Sequence, residues 1–206
     1  MEVLLVVLLS ICAFILGGCP FSVWIGRIAL NKDIRNYGDG NPGSSNVFKA
    51  GSKKWGILAL VLDILKGVPF VLAGKLVFGL PQPLLYIIAL CAVLGHAYSP
   101  FLGFRGGKAL AVFAGTLFGL GQWDMVLTLI ILLIIGFMLI GNDAWTVILS
   151  MAGALVVLFI IRADIWEVLF MSCVGVLYLI KHFQDLRIPG HEGRLVHWLR
   201  SRRKAA

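Results

Sequence analysis

The sequence predicts an all-α, multi-pass membrane protein, and three observations support this fold class. Of its 206 residues, 60% are hydrophobic and only 14% are charged, and the mean hydropathy is +0.96. Apolar runs near the roughly 20 residues of a membrane-crossing helix recur along the chain. Basic residues collect between alternate runs, as expected for the cytoplasmic side of a membrane protein. A helical bundle satisfies the backbone polar groups of each spanning segment within the membrane.

Seven spans are predicted from the apolar runs. Five runs are long enough on their own, and two shorter ones are separated only by residues 122–124, so leaving them out would create a buried loop. The longer runs are Val3–Leu30, Trp55–Phe78, Leu84–Phe101, Ala144–Ile161 and Ile165–Lys181, and the shorter runs are Ala109–Gly121 and Met125–Ile140.

The distribution of positive charge predicts the orientation. If the N-terminus is outside, fifteen of the eighteen basic residues lie at the cytoplasmic face, and the opposite side has only Lys75 and Arg162. The net charge of +8 is mostly this bias, so a nucleic-acid partner is not needed to explain it. We expect one integral membrane domain over residues 1–190 and a basic tail at 191–206 that lies on anionic lipid.

The four cysteines predict neither a disulfide framework nor a zinc site. They are scattered through apolar runs without any C-x-x-C pairing. We expect them to act as small packing residues. Their positions are Cys12, Cys19, Cys91 and Cys173.

The first loop, residues 31–54, contains the stretch NYGDGNPGSSNVFKAGSKK and is typical of a loop that wraps an anion. Its glycines permit tight turns, and Asn41 is pushed towards an extended conformation by Pro42. Asp39 stands among these residues, although a carboxylate repels a phosphate unless it is protonated or paired.

The second loop, residues 103–108, reads GFRGGK and precedes a new apolar run. Two glycines at a helix start let the backbone approach a ligand, while Arg105 and Lys108 add positive charge, so the pattern indicates an anion site. It is not a nucleotide P-loop, because Leu102 occupies the first glycine position and Ala109 replaces the metal-binding Ser or Thr. An interfacial turn with snorkelling basic side chains is the alternative.

Two further polar groups stand out within or beside the spans. Asp63 and Lys66 share a helix face inside the second span, where they form either a salt bridge that fixes helix packing or the floor of a polar cavity. His182 and Asp185 share a face if the last span continues inward, and the carboxylate would orient the imidazole. A solvated helix end is the alternative for that second pair.

Taken together in this order, the motifs resemble the bacterial membrane-integral acyl-phosphate:glycerol-3-phosphate acyltransferase family. The likeness covers nearly the whole chain. It rests on Gly17-Gly18-Cys19-Pro20-Phe21, Gly40-Asn41-Pro42-Gly43-Ser44-Ser45-Asn46, Asp63-x-x-Lys66-Gly67, Gly95-His96 with Pro100, Arg105-Gly106-Gly107-Lys108, and His182 with Gly190 and Glu192.

The resemblance implies an enzyme of the bacterial cytoplasmic membrane that makes lysophosphatidic acid for phospholipid synthesis. It would transfer a fatty acyl chain from acyl phosphate to the 1-hydroxyl of glycerol 3-phosphate, without a cofactor, a metal or an acyl-enzyme. The expected partners are these two substrates, membrane lipid and an upstream enzyme that forms acyl phosphate.

The resemblance, together with the polar residues singled out above, gives the candidate site residues. The candidate catalytic residues are His182, which would bind or activate the acceptor, with Asp39 and Asp185. Asp63 and Lys66 are assigned as a structural polar pair. The candidate substrate-binding residues are Asn41, Gly43, Ser45, Asn46, Lys49, His96, Arg105, Gly106, Gly107, Lys108 and Glu192.

Four positions depart from the family pattern. Asp39 stands where the family usually has Ser, Ser45 for Thr, Lys49 for Arg and Asp185 for Asn. Lys cannot form the two-pronged bond of Arg. Three alternatives stay open: Asp39 acts as a base in the same reaction, the chain acylates a different acceptor that bears an amine, or it is a non-catalytic scaffold with the same fold.

Overall fold

The computed structural model describes residues 2–162 and 164–188, and the backbone of His191 and Glu192. Its regular structure is helical apart from two strands of two residues each, which confirms the all-α class. The α-helices are α1 (Glu2–Gly18), α2 (Phe21–Leu30), α3 (Ser44–Lys49), α4 (Lys53–Leu65), α5 (Pro69–Leu76), α6 (Gln82–Ala97), α7 (Leu110–Leu120), α8 (Trp123–Leu139), α9 (Asp143–Ile161) and α10 (Ile165–His182).

Five helical segments of the described chain are long and apolar enough to cross a membrane, which confirms a multi-pass membrane protein. They coincide with the five longer predicted spans, and α7 and α8 are shorter apolar helices at the two shorter runs. The count of seven spans stays a prediction. The five segments are Glu2–Leu30, Lys53–Leu76, Gln82–Leu102, Asp143–Ile161 and Ile165–His182.

The described residues form two compact packing units, one up to residue 122 and the other from residue 123 onward. In the first unit, two of the long segments are interrupted near a proline. Cys19 and Pro20 separate α1 from α2, and Pro69 begins α5 shortly after α4 ends. A proline lacks the N–H that would continue the ladder, so each interruption leaves carbonyl groups that need other donors.

Small residues bring α1 and α6 close together in the first unit. A Cβ added at Gly17 would overlap the carbonyl of Ala92, and one added at Gly95 would overlap the carbonyl of Phe14. Where the helix ends meet, the Ser99 hydroxyl donates a hydrogen bond to the Gly18 carbonyl at 2.5 Å. This contact fixes the end of α6 beside the break that follows α1.

A small apolar core holds the first loop against the helices below it. Ile34 and Val47 are fully buried, and they pack with side chains of α2 and α4. The other buried members of this core are Val23, Ala50 and Ala59. Both ends of the glycine-rich stretch are therefore anchored, which fixes where its polar groups point.

The second unit contains α8, α9 and α10. Arg162, after α9, makes a two-pronged contact with the buried Glu167 at 2.7 and 2.8 Å and an ion pair with Asp124 at 2.8 Å. Burial tends to lower the pKa of the Arg162 guanidinium, but the Glu167 hydrogen bonds act more strongly and raise it. These contacts tie the three helices together at one end.

The other end of this unit carries a short antiparallel ladder between β1 (Ile140–Gly141) and β2 (His191–Glu192). Asn142 caps α9 and donates to the carbonyls of Asp185 at 3.1 Å and Ile188 at 3.0 Å. The Glu192 side chain and the predicted basic tail from residue 193 onward lie outside the described residues.

Candidate active site

Asp39 lies between two glycines with left-handed backbones, Gly38 at φ +60° and Gly40 at φ +72°. Only glycine adopts this conformation without strain, so the pair makes a tight double turn around the carboxylate. Asp39 Oδ1 accepts a hydrogen bond from the Asn41 backbone N–H at 3.2 Å and another from Asn46 Nδ2 at 3.0 Å. The carboxylate is thereby turned into the loop.

Asn46, the fully buried asparagine of α3, organises this turn. Its Nδ2 also donates to the Asn41 carbonyl at 2.9 Å, and its backbone N–H bonds the Gly43 carbonyl at 3.1 Å. Gly43 closes the turn with a bond to the Asn41 carbonyl at 2.8 Å. The structure thus brings the predicted residues Asn41, Gly43 and Asn46 together around Asp39.

Lys49 and Ser45 lie on the exposed side of α3. The Lys49 ammonium is 2.9 Å from the point that a Cβ at Gly38 would occupy, so its charge lies beside the Asp39 turn. Ser45 is on the surface, and its substrate-binding role stays a prediction.

The second loop packs directly onto the end of α6. The Gly107 N–H donates to the His96 carbonyl at 3.0 Å. A Cβ at Gly106 would overlap that carbonyl, and a Cβ at Gly107 would overlap the His96 imidazole. Close backbone approach, not turn formation, is what requires these two glycines. His96 itself is buried beneath the second loop, and its predicted substrate-binding role stays a prediction.

Left-handed backbone conformations bracket the segment from Arg105 to Lys108. Phe104 has φ +62°, and Ala109, the buried N-cap of α7, has φ +64°. This conformation costs an L-residue about 1–2 kcal/mol. Such strain clusters at binding and catalytic sites, where it directs neighbouring groups. Arg105 is exposed.

Lys108 joins the two loops. Its Nζ lies 2.6 Å from Asp39 Oδ2, although the residues are 69 positions apart. Burial acts to raise the pKa of Asp39, but the hydrogen bond and charge of Lys108, with the bonds from Asn41 and Asn46, lower it to about 2. Asp39 is therefore ionised and paired at neutral pH, so its carboxylate is compatible with the anion binding predicted for this loop.

Asp63 and Lys66 form a buried ion pair at 2.7 Å, with side chains that are 2% and 1% exposed. Lys66 also donates to the Cys19 carbonyl at 2.8 Å, and Asp63 accepts from the Ser22 hydroxyl at 2.7 Å. The pair therefore supplies donors and acceptors at the break between α1 and α2. This geometry favours the salt bridge that fixes helix packing over the floor of a polar cavity.

His182 lies in the second unit, at the buried end of α10. Its Nδ1 is 3.8 Å from Asp185 Oδ2, and its ring meets the Tyr178 ring edge-on at 6.4 Å between centroids. The predicted pair therefore shares one region of this unit. The catalytic roles of His182 and Asp185, and the binding role of Glu192, stay predictions.

Sequence reasoning missed several residues that build these regions. Ser22 and Ser99 satisfy groups at the break after α1, and Pro20 was the signal that carbonyls there needed donors. The sequence carried no comparable signal for the Arg162 network. In the described part of the chain, no group of three His, Cys, Asp or Glu side chains is placed to hold a metal ion.

Fold and site define a class: a multi-pass helical membrane protein whose two glycine-rich loops meet where Lys108 pairs with Asp39, an arrangement called the cradle below. The family described as glycerol-3-phosphate acyltransferase matches residues 7–188. The chain belongs to this family, which confirms the resemblance seen in its motifs.

Individual relatives agree with this assignment. A glycerol-3-phosphate acyltransferase of Listeria monocytogenes serotype 4a (strain HCC23) is 31% identical over 197 residues, which cover 94% of this chain and 98% of the relative. One from Enterococcus faecalis (strain ATCC 700802 / V583) is 46% identical over 116 residues, covering 54% of this chain and 51% of the relative.

Two solved structures have the same fold. Both are crystal structures of PlsY (YgiH), an integral membrane glycerol 3-phosphate acyltransferase. The glycerol 3-phosphate form superposes with a TM-score of 0.82 at 28% identity, covering 94% of this chain and 98% of that one. The lysophosphatidic acid form gives 0.79 at 28% identity, covering 92% and 96%.

Proposed function

We propose that this protein transfers a fatty acyl chain from acyl phosphate to the 1-hydroxyl of glycerol 3-phosphate, which gives lysophosphatidic acid for phospholipid synthesis. Membership of the glycerol-3-phosphate acyltransferase family supports the reaction class. The observation that carries the proposal is the meeting of the two glycine-rich loops at Lys108, whose Nζ is 2.6 Å from Asp39.

The chemistry suits this arrangement. The acceptor hydroxyl oxygen attacks the acyl carbonyl carbon, and the bond from that carbon to the bridging phosphate oxygen breaks. Inorganic phosphate leaves and takes up the proton that the hydroxyl loses. Both substrates are anions, and acyl phosphate already carries a good leaving group, so the protein mainly positions them and shields charge. Lys108 and the first-turn N–H groups of α7 are the donors we assign to a phosphate group.

The proposed topology follows the charge bias. Seven spans with the N-terminus outside place both loops at the cytoplasmic face of a bacterial inner membrane, where soluble glycerol 3-phosphate is available. Fifteen of the eighteen basic residues support this orientation. Acyl phosphate would come from an upstream enzyme that forms it.

Reconstituted protein tests the proposal. Purified chain in lipid nanodiscs is given acyl phosphate and labelled glycerol 3-phosphate, and we expect lysophosphatidic acid and inorganic phosphate in equal amounts. Replacing acyl phosphate with acyl coenzyme A tests the donor and should abolish product. Absence of lysophosphatidic acid with acyl phosphate would refute the proposed function.

A matched pair of lysine variants tests the site. Lys108→Met should lose most activity, because it removes the ammonium that joins the two loops. Lys54→Met removes an exposed lysine that lies over the Trp55 ring, and should keep wild-type activity. Equal activity in both variants would contradict the role of Lys108.

A second candidate reaction keeps the same donor with an acceptor that carries an ammonium beside its hydroxyl. The Asp39 carboxylate favours it, because this ionised group lies within the cradle. Offering glycerol 3-phosphate in competition with its analogue bearing an amine in place of the 2-hydroxyl distinguishes the two. Mass spectrometry of the products identifies the preferred acceptor.

A further inference from the structure

We infer that Asp39 is a specificity-determining residue: its charge weakens the binding of a doubly charged phosphate at Lys108 and narrows the preference for dianionic over monoanionic phosphates. The inference rests on the proposed function, because it concerns the same cradle. Its chemistry applies equally to the phosphate of glycerol 3-phosphate and to that of acyl phosphate, and the experiment below distinguishes them.

Distance carries the inference. Lys108 Nζ is 2.6 Å from Asp39 Oδ2. A phosphate oxygen that accepts a charge-assisted bond from the same ammonium lies about 2.8 Å from it. Because both groups bind the same ammonium, the distance between them cannot exceed the sum of these two separations. The phosphate oxygen therefore lies within about 5.5 Å of Asp39 Oδ2, whatever its direction of approach. At that range like charges repel measurably even at a partly exposed site.

The carboxylate is held in this position from its other side. Oδ1 accepts from Asn46, which is fully buried, and from the Asn41 backbone N–H. The left-handed glycines on both sides fix the backbone that carries it. Movement of Asp39 away from a ligand would therefore be costly, because it would leave one N–H of the buried Asn46 amide without its acceptor.

Asp39 is also charged throughout the working range. Its side chain keeps hydrogen bonds that favour the ionised form, and its pKa is lowered to about 2. A bound phosphate would therefore lie near both the Lys108 ammonium and the Asp39 carboxylate, and not near an ammonium alone. Lys49, beside the same turn, adds positive charge to the cradle.

The repulsion scales with the charge of the ligand, which gives a quantitative signature. Removing the Asp39 charge should improve binding of a dianion by about tenfold, and binding of a monoanion by about the square root of that, roughly threefold. Tenfold corresponds to about 1.4 kcal/mol.

Two isosteric variants test the inference. Asp39→Asn removes the charge at the cradle, while Asp33→Asn removes one charge from the same loop, where Asp33 pairs with Arg35 at 2.6 Å. Steady-state kinetics give KM for glycerol 3-phosphate and for acyl phosphate separately. The methyl phosphodiester of glycerol 3-phosphate, a monoanion, serves as a competing ligand whose inhibition constant is measured in each variant.

We expect Asp39→Asn to lower KM about tenfold for the substrate whose phosphate Lys108 holds. The substrate whose KM falls, glycerol 3-phosphate or acyl phosphate, is the one whose phosphate Lys108 holds. If that substrate is glycerol 3-phosphate, the inhibition constant of the phosphodiester should fall about threefold. Asp33→Asn should leave all these constants near the wild-type values, and added salt should shrink the Asp39 effect.

KM values for both substrates that are unchanged or raised in folded Asp39→Asn would overturn the inference. An equal improvement in the binding of the dianion and of the phosphodiester would also overturn it. Thermal unfolding in detergent checks that the variant is folded. If it is not, Asp39→Ser repeats the test with a hydroxyl that still accepts hydrogen bonds. Wild-type product formation is measured first, so a failed reaction assignment is recognised separately.

Discussion

Removing the Lys66 charge should destabilise the first unit strongly, because it leaves a buried carboxylate without its cation. The ion pair with Asp63 is 2.7 Å long and both side chains are at most 2% exposed. At an effective dielectric constant of about 20, its attraction is about 6 kcal/mol, which the cost of desolvating two ions largely offsets. The intact pair therefore contributes little net stability, whereas loss of one partner costs about 3–5 kcal/mol.

The double variant separates this reasoning from a simple loss of packing. In Lys66→Met, Asp63 keeps its bond from Ser22 but loses the ammonium, and the Cys19 carbonyl loses its donor. Adding Asp63→Asn removes the stranded charge, so the two changes together should cost less than Lys66→Met alone. Unfolding free energies come from detergent titrations monitored by circular dichroism, with Lys54→Met as an exposed control within about 0.5 kcal/mol of wild type. A double variant whose cost equals the sum of the single costs would refute the reasoning.

Three further predictions concern strain, an end-of-helix network and pH. Ala109→Gly should raise the unfolding free energy by about 1 kcal/mol, since glycine relieves the φ of +64° at a buried site with little other change; a lower melting temperature would contradict it. Arg162→Gln should destabilise the protein by about 3 kcal/mol, because it strands the buried Glu167, and a second change, Glu167→Gln, should restore part of the loss in the same unfolding assay. Because the pKa of Asp39 is lowered to about 2, its ionised form stabilises the fold above its unfolded pKa near 3.8, and that contribution is lost as the pH falls through about 2. The melting-temperature difference between wild type and Asp39→Asn should therefore stay constant from pH 9 to about pH 5 and shrink below about pH 4. A change in this difference near neutral pH would contradict the lowered pKa of Asp39.

The sequence predicts the local features of this protein better than the long-range ones. Apolar runs mark the spans because membrane crossing sets length and composition within one segment. Glycines mark both loops because left-handed turns and close backbone approach tolerate few other residues. No local pattern, however, indicates that Lys108 pairs with Asp39, since packing at 69 positions of separation decides that contact.

Other features could not be predicted from the sequence, because the residue type gives no indication of the structural role. Ala109 gives no hint of a left-handed backbone, which alanine normally avoids. Ser22 looks like any small helix residue, yet its hydroxyl completes the Asp63 pair. The presence of Asp39 in a loop predicted to bind an anion could be explained only from the structure, which pairs it with Lys108.

Three hydrogen bonds and the short stretches of chain between them connect the buried ion pair of the first unit with its candidate site. Lys66 holds the carbonyl at the end of the break after α1, and one residue earlier Ser99 holds the Gly18 carbonyl. His96 lies three residues before Ser99, near the end of α6, and its carbonyl accepts a hydrogen bond from the Gly107 N–H next to Lys108. Because these hydrogen bonds fix neighbouring parts of the backbone, we expect loss of one partner of the ion pair to displace the cradle as well as to destabilise the helices. Lys66→Met should consequently lower activity at temperatures where the variant is still folded, which a loss of stability alone would not do.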